Sequence, residues 1–164
     1  MQAPRSTLRP RDSAALLGFM ALCLAVAAAG SAVTATSLGT WYAGLVKPAF
    51  NPPNWVFAPV WSALYLMMAF AGWRVWCRRG APGARLALRA WALQLALNLG
   101  WSFVFFGERL IGAALAEIAL LFAAVLATAV LSWRIDRLAG ALLAPYAAWV
   151  GFAAVLNAAL WRLN

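Results

Sequence analysis

The chain has 164 residues, of which 66% are hydrophobic and 10% charged, with a mean hydropathy of +0.82 and a formal net charge of +9. That composition excludes an ordinary soluble domain and defines an integral membrane protein. The thirteen basic residues punctuate apolar stretches instead of lining one face, which argues for membrane topology and against nucleic-acid binding.

The first thirteen residues form a basic tail with Arg5, Arg9 and Arg11, followed by an apolar stretch, Ala14–Thr36. This stretch is longer than the apolar core of a signal peptide, so an uncleaved first helix is expected. A loop at 37–54 comes next. Its core, from Trp41 through Phe57, is aromatic, almost uncharged and stiffened by Pro48, Pro52 and Pro53, features that keep a segment close to a membrane surface. Four further apolar runs follow at Trp55–Val75, Leu86–Phe106, Ile111–Trp133 and Leu138–Trp161. Crossing about 30 Å of hydrocarbon takes roughly 20 helical residues, so each run is long enough. Their lack of alternation excludes barrel strands, and backbone groups in lipid need internal partners. The expected fold class is therefore an all-α membrane protein, a bundle of five transmembrane helices over residues 14–164.

Laid along five spans, ten basic residues fall on one side: Arg5, Arg9, Arg11, Arg74, Arg78, Arg79, Arg85, Arg89, Arg134 and Arg137. Only Lys47, Arg109 and Arg162 fall on the other. In a bacterial inner membrane the positive-inside rule makes the N-terminus cytoplasmic and turns the Trp41–Trp55 segment away from the cytoplasm. Twelve arginines against one lysine, with many alanines, fit a bacterial source.

The chain contains no histidine, which excludes a His-based triad, His-ligated zinc and a proximal-histidine haem; no metal site is expected. Cys23 and Cys77 lie on unmatched levels of different spans and read as small apolar fillers. Glu117 is the one carboxylate inside a span. It is either a functional group or structural glue bonded to Gln94 or Asn98. Gln94 and Asn98, at i and i+4, share an inward face with Trp91, Trp101 and Phe105, a surface of rings and amides suited to a flat, apolar ligand with polar edges. Ala92, Ala96 and Gly100 form a small-residue row, either a homodimer seam or an intramolecular packing face. Trp55, Trp73, Trp76, Trp133 and Trp161 fall near span ends, as in an interfacial belt. Trp61 and Trp149 lie deeper, each shortly after a helix proline, Pro59 or Pro145, and are expected to face a pocket between bent helices.

Three ordered motifs carry a resemblance. The runs Trp41-Tyr42…Lys47-Pro48…Asn51-Pro52-Pro53…Trp55-Val56-Phe57…Trp61…Tyr65, Gln94-Leu95…Asn98…Trp101…Phe105-Phe106-Gly107 and Pro145-Tyr146…Trp149…Leu156-Asn157…Trp161-Arg162 resemble the TspO/MBR family of tryptophan-rich sensory and translocator proteins. The resemblance covers roughly residues 14–164. It implies a five-helix bundle, often dimeric, whose first loop closes over a pocket for tetrapyrroles such as protoporphyrin IX. The ligand-binding set it implies, with the inward stripe of the third span, is Trp41, Pro48, Asn51, Pro52, Phe57, Trp61, Tyr65, Gln94, Asn98, Trp101, Tyr146 and Trp149. No obligatory cofactor is implied. Two departures stand out. The family's sterol pattern needs a Tyr after Leu156-Asn157, where this chain has Ala158-Ala159-Leu160-Trp161-Arg162, and Phe50 stands where the family often has Trp.

The expected function is that of a porphyrin receptor or carrier linked to stress or oxygen, held in the bilayer as a homodimer. Two alternatives accompany it. One is light- and oxygen-dependent porphyrin breakdown at Trp61 and Trp149, although the sequence holds no dedicated catalytic constellation. The other is a small proton-linked transporter using Glu117.

Overall fold

A computed structural model describes residues 10–164, which are helical apart from short connections. The expected tail before Pro10, including Arg5 and Arg9, lies outside the described residues. The described part of the first helix, α1 (Pro10–Leu38), begins before its apolar run and carries Asp12 in its first turn, toward the positive end of the helix dipole. A single helical turn, α2 (Trp41–Gly44), lies within the loop expected at 37–54. The second span is α3 (Asn54–Cys77), beginning directly after Pro52-Pro53. The remaining spans are α4 (Ala84–Ser102), α5 (Ile111–Ile135) and α6 (Arg137–Leu163). Gly83, at φ 82°, occupies the left-handed conformation that reverses the chain into α4.

The third span departs from the expected regular helix to Phe106: beyond Ser102 it continues as a π-helical turn, Phe103–Gly107. Glu108 N donates to Phe103 O at 2.8 Å and Leu110 N to Val104 O at 3.1 Å. The Phe106 carbonyl, left without its usual helical donor, accepts from the buried Ser37 hydroxyl of α1 at 2.7 Å. A membrane offers no water to satisfy such a carbonyl, so this bond also fixes the end of α1 against α4.

Neighbouring helices form the ring α1, α3, α6, α5, α4, closing back on α1. Five of them are long and apolar enough to cross a membrane. The chain is thus an all-α, multi-pass bundle. At one end, Asp136 alone separates α5 from α6. Its carboxylate accepts Leu138 N at 2.9 Å and Ala139 N at 3.3 Å, capping α6, and pairs with Arg74 at 2.8 Å and with Arg78. Burial by itself raises this carboxyl's pKa, but the Arg74 hydrogen bond, the Ala139 amide and the two guanidinium charges outweigh it and hold it below the usual carboxylate range. Arg79 approaches Asp12 at 3.5 Å, placing the start of α1 at the same end. The turn also requires Gly140: a Cβ there would lie 2.8 Å from Trp133 Cα.

In the arginine-side half of the bundle, Gly72 of α3 lets α1 and α4 approach. A Cβ would sit 2.8 Å from both the Phe19 ring and the Trp91 indole. Trp91 is fixed there by its Nε1–H, which donates to Met68 O at 2.9 Å. Met68, Ala69, Val125, Leu143 and Tyr146 are fully buried around this level. Where lipid is as apolar as leucine, such close contact is what holds helices together.

Candidate functional site

The opposite half of the bundle is hollow. A cavity of about 310 Å³ lies between the C-terminal halves of α1, α4 and α6, the N-terminal halves of α3 and α5, and Tyr42 of α2. Its walls are chemically unequal. On α1 the lining residues from 27 to 35 are Ala27, Gly30, Ser31, Thr34 and Ala35, none larger than threonine. Facing them are Phe57, Trp61 and Tyr65 of α3, Trp101 of α4, Phe105 of the π turn, and Trp149 of α6. The 3.6-residue period delivers both sets. Trp61 and Tyr65 are one turn apart, as are Asn98 and Trp101, and the small residues of α1 recur every three or four positions.

The polar groups are few and ordered. Tyr65 OH donates to Asn98 Oδ1 at 2.6 Å, and Asn98 Nδ2 donates to Tyr146 OH at 3.2 Å, so one amide ties α3, α4 and α6 together. Trp101 Nε1–H donates to Asn157 Oδ1 at 3.1 Å, while Asn157 Nδ2 donates to Ile111 O at 2.9 Å. Trp101 also stacks on Phe105 at 4.9 Å between ring centroids. Trp61 lies between Tyr65 and Tyr146, at 5.6 and 6.3 Å. Trp149 packs between Phe57 and Phe152 at 5.9 and 5.5 Å, and its indole Nε1–H is buried with no acceptor among the described residues. An unpaired buried donor is costly.

Above the cavity, the segment from Trp41 to Pro53 is fastened at several points. Tyr42 OH donates to Asn51 Oδ1 at 2.9 Å; burial raises the phenol's pKa, with the Asn51 bond pulling the other way. Lys47 spends its ammonium on the Ala43 and Leu45 carbonyls, at 3.1 and 3.2 Å, and lies over the Tyr42 ring. Phe50 packs against Phe152 of α6 at 6.4 Å, so a phenyl ring serves at this loop position. Asn164 closes the segment onto α6: its Oδ1 accepts Val46 N at 2.9 Å and its Nδ2 donates to Val46 O at 3.0 Å.

Among the residues singled out from sequence, Phe57, Trp61, Tyr65, Asn98, Trp101 and Trp149 line the cavity. Trp41, Pro48, Asn51, Pro52, Gln94 and Tyr146 stand outside its lining. Trp41 packs on the outer side of Phe105 at 5.6 Å, and Asn51 acts through Tyr42. Tyr146 lies behind Trp61, joined to Asn98. Gln94 is fully buried, and neither amide atom has a partner among the described residues. Glu117 does not make the hydrogen bond to Gln94 or Asn98 that was its structural alternative. Its oxygens are buried without partners among the described residues, one of them 3.6 Å from where a Cβ on Gly100 would be. Ala92 and Ala96 are exposed on the outer face of α4, whereas Gly100 is half-buried against α5. Sequence reasoning quoted Asn157 as a motif residue without placing it in the site, and it passed over Asn164 and the small-residue face of α1. The spacing Ala27, Gly30/Ser31, Thr34 was its available signal.

The fold and cavity thus define a polytopic membrane protein with an aromatic-walled, ligand-sized chamber under a fastened extramembrane segment. The chain belongs to the TspO/MBR family, whose profile matches residues 19–162. It is 44% identical over 126 residues to the translocator protein of Sus scrofa, covering 76% of this chain and 75% of that one. It is 40% identical over 147 residues to protein CrtK of Rhodobacter capsulatus, covering 89% and 92% respectively. The tryptophan-rich sensory protein of Cereibacter sphaeroides is 39% identical over 153 residues, 93% of each chain.

Proposed function

We propose that this protein is a membrane receptor or carrier for protoporphyrin IX-type tetrapyrroles, acting in stress- or oxygen-linked control of tetrapyrrole metabolism. The observation that carries the reading is the cavity: an apolar chamber walled by Trp61, Trp101 and Trp149, with the Asn98 amide among its few polar groups. A porphyrin is a wide aromatic plate with two propionates. It needs ring faces for stacking and a small number of donors, and this wall offers both. Free porphyrin has no metal to be ligated, in keeping with a chain that lacks histidine. In this reading the arginine-rich end faces the cytoplasm of a bacterial cell, and the exposed Ala92/Ala96 face of α4 seats a second copy.

The test is a titration of the detergent-solubilised protein with protoporphyrin IX in the dark, followed by tryptophan quenching. Saturable binding that Trp61→Phe/Trp149→Phe weakens is expected; binding that never saturates would refute the reading. Repeating the titration under light separates a receptor, which leaves the porphyrin absorbance intact, from a photo-oxidative enzyme.

A further inference from the structure

The contacts that fix α1 change partner along its length. Near the arginine end it is held to α3: Phe19 packs on Gly72 and Trp76, and Trp73 Nε1–H donates to Asp12 O at 2.7 Å. Toward the other end the fixing contacts run to α4 and the π turn. Gly30 lies within 3.3 Å, measured from its Cβ position, of Ser102 Oγ; Ser37 binds the Phe106 carbonyl; Val33 packs on Gly107. There α1 leans on α4, and the face it turns to the cavity carries only small side chains as far as Ala35.

The exposure of the lining follows this asymmetry. Ser31 and Ala35 of α1 and Ala58 of α3 line the cavity and are exposed, whereas Ile118 and Leu121 of α5 and Val150 of α6, on the opposite wall, are buried. A cavity whose exposed lining belongs to two adjacent transmembrane helices opens between them. Those helices cross the hydrocarbon, so the opening meets acyl chains and not water. Half-buried Thr34, on the same face, returns its hydroxyl to Gly30 O at 2.9 Å. On the water side, meanwhile, the covering segment is fastened by the two Asn164–Val46 hydrogen bonds.

We propose that the cavity is loaded sideways from the bilayer, through the gap between the C-terminal half of α1 and the N-terminal half of α3, by a flat amphiphile already dissolved in the membrane. Ser31 and Ala58 are the gateposts, and the Trp41–Pro53 segment stays closed while the ligand passes. The inference rests on the ligand reading above and adds the route.

An obstacle in a passage raises the barrier equally in both directions, so it slows loading and release together and leaves the equilibrium nearly untouched. The experiment uses protein in liposomes with protoporphyrin IX as probe, in a Cys23→Ala/Cys77→Ser background. Val46→Cys/Asn164→Cys is added so that oxidation locks the covering segment and reduction frees it. One sample is compared with itself, so misfolding cannot masquerade as a result. Association in the locked state within about twofold of the reduced state, together with Ser31→Phe and Ala58→Phe slowing association and dissociation alike by about tenfold, is the expected outcome. Association abolished by locking and restored by reduction would overturn the route, as would phenylalanine variants that load at the original rate. Absence of saturable binding in the reduced protein would overturn the ligand reading itself, a failure distinct from binding that the disulfide blocks.

Discussion

Replacing Asp136 by asparagine removes one charge from the best-connected polar group in the bundle while preserving its shape. The side chain Oδ1 still accepts Leu138 N and Ala139 N, so the α6 cap survives; what is lost is the carboxylate's attraction for Arg74 and Arg78. A hydrogen bond to a charged group contributes about 1.5–3 kcal/mol. Arg74 and Arg78 are themselves 28% and 45% exposed and recover hydration when released, which places the loss near the lower end, about 1.5–2 kcal/mol. Asp136→Ala also removes the cap and costs about 1 kcal/mol more. At about 2–4 °C per kcal/mol for a chain of this size, the asparagine variant should melt roughly 3–8 °C lower, measured by tryptophan fluorescence in detergent.

The pH dependence gives the sharper test. The folded carboxyl titrates below its ordinary value of 3.8, so its contribution is complete above that value and disappears as the pH falls through the lower folded value. Wild type should therefore lose stability on acidification below about pH 4, and the gap between wild type and Asp136→Asn should close there. An asparagine variant as stable as wild type at pH 7, or a gap that persists unchanged into acid, would refute the reasoning.

Gly72→Ala should lower stability by about 1–3 kcal/mol, because the new methyl meets the Phe19 ring and a Trp91 indole held by Met68; unchanged melting would show that these helices can separate. Asn98→Leu strands the Tyr65 and Tyr146 hydroxyls, so thermal stability and protoporphyrin affinity should fall together, whereas Asn98→Gln should restore part of each. Trp61→Phe should weaken protoporphyrin binding about fivefold, the equivalent of about 1 kcal/mol of lost aromatic contact, as read from quenching titrations. Glu117→Gln should leave that affinity unchanged, since its carboxylate faces Gly100 outside the lining; a large loss would bring Glu117 into the site.

The sequence by itself determined the membrane class, the number of spans and the ends at which their arginines collect, because hydrocarbon thickness and backbone hydrogen bonding act on local composition. It also placed Trp61 and Trp149 in the interior, since aromatic residues that deep in a span do not belong to an interfacial belt. Tertiary structure alone decided which interior surfaces meet. Gln94 and Asn98 share a helix face and look equivalent in sequence, yet Asn98 joins two tyrosines beside the cavity while Gln94 is buried without a partner among the described residues. Asp136 reads as a linker residue until two arginines 62 and 58 positions earlier converge on it. The carbonyl freed by the π turn after Ser102 is taken by a serine from another helix. Period and composition describe one helix at a time. A cavity, a latch or a shared carboxylate is a relation among several helices, fixed by where small residues such as Gly30, Gly72 and Gly140 permit approach and where aromatic rings forbid it.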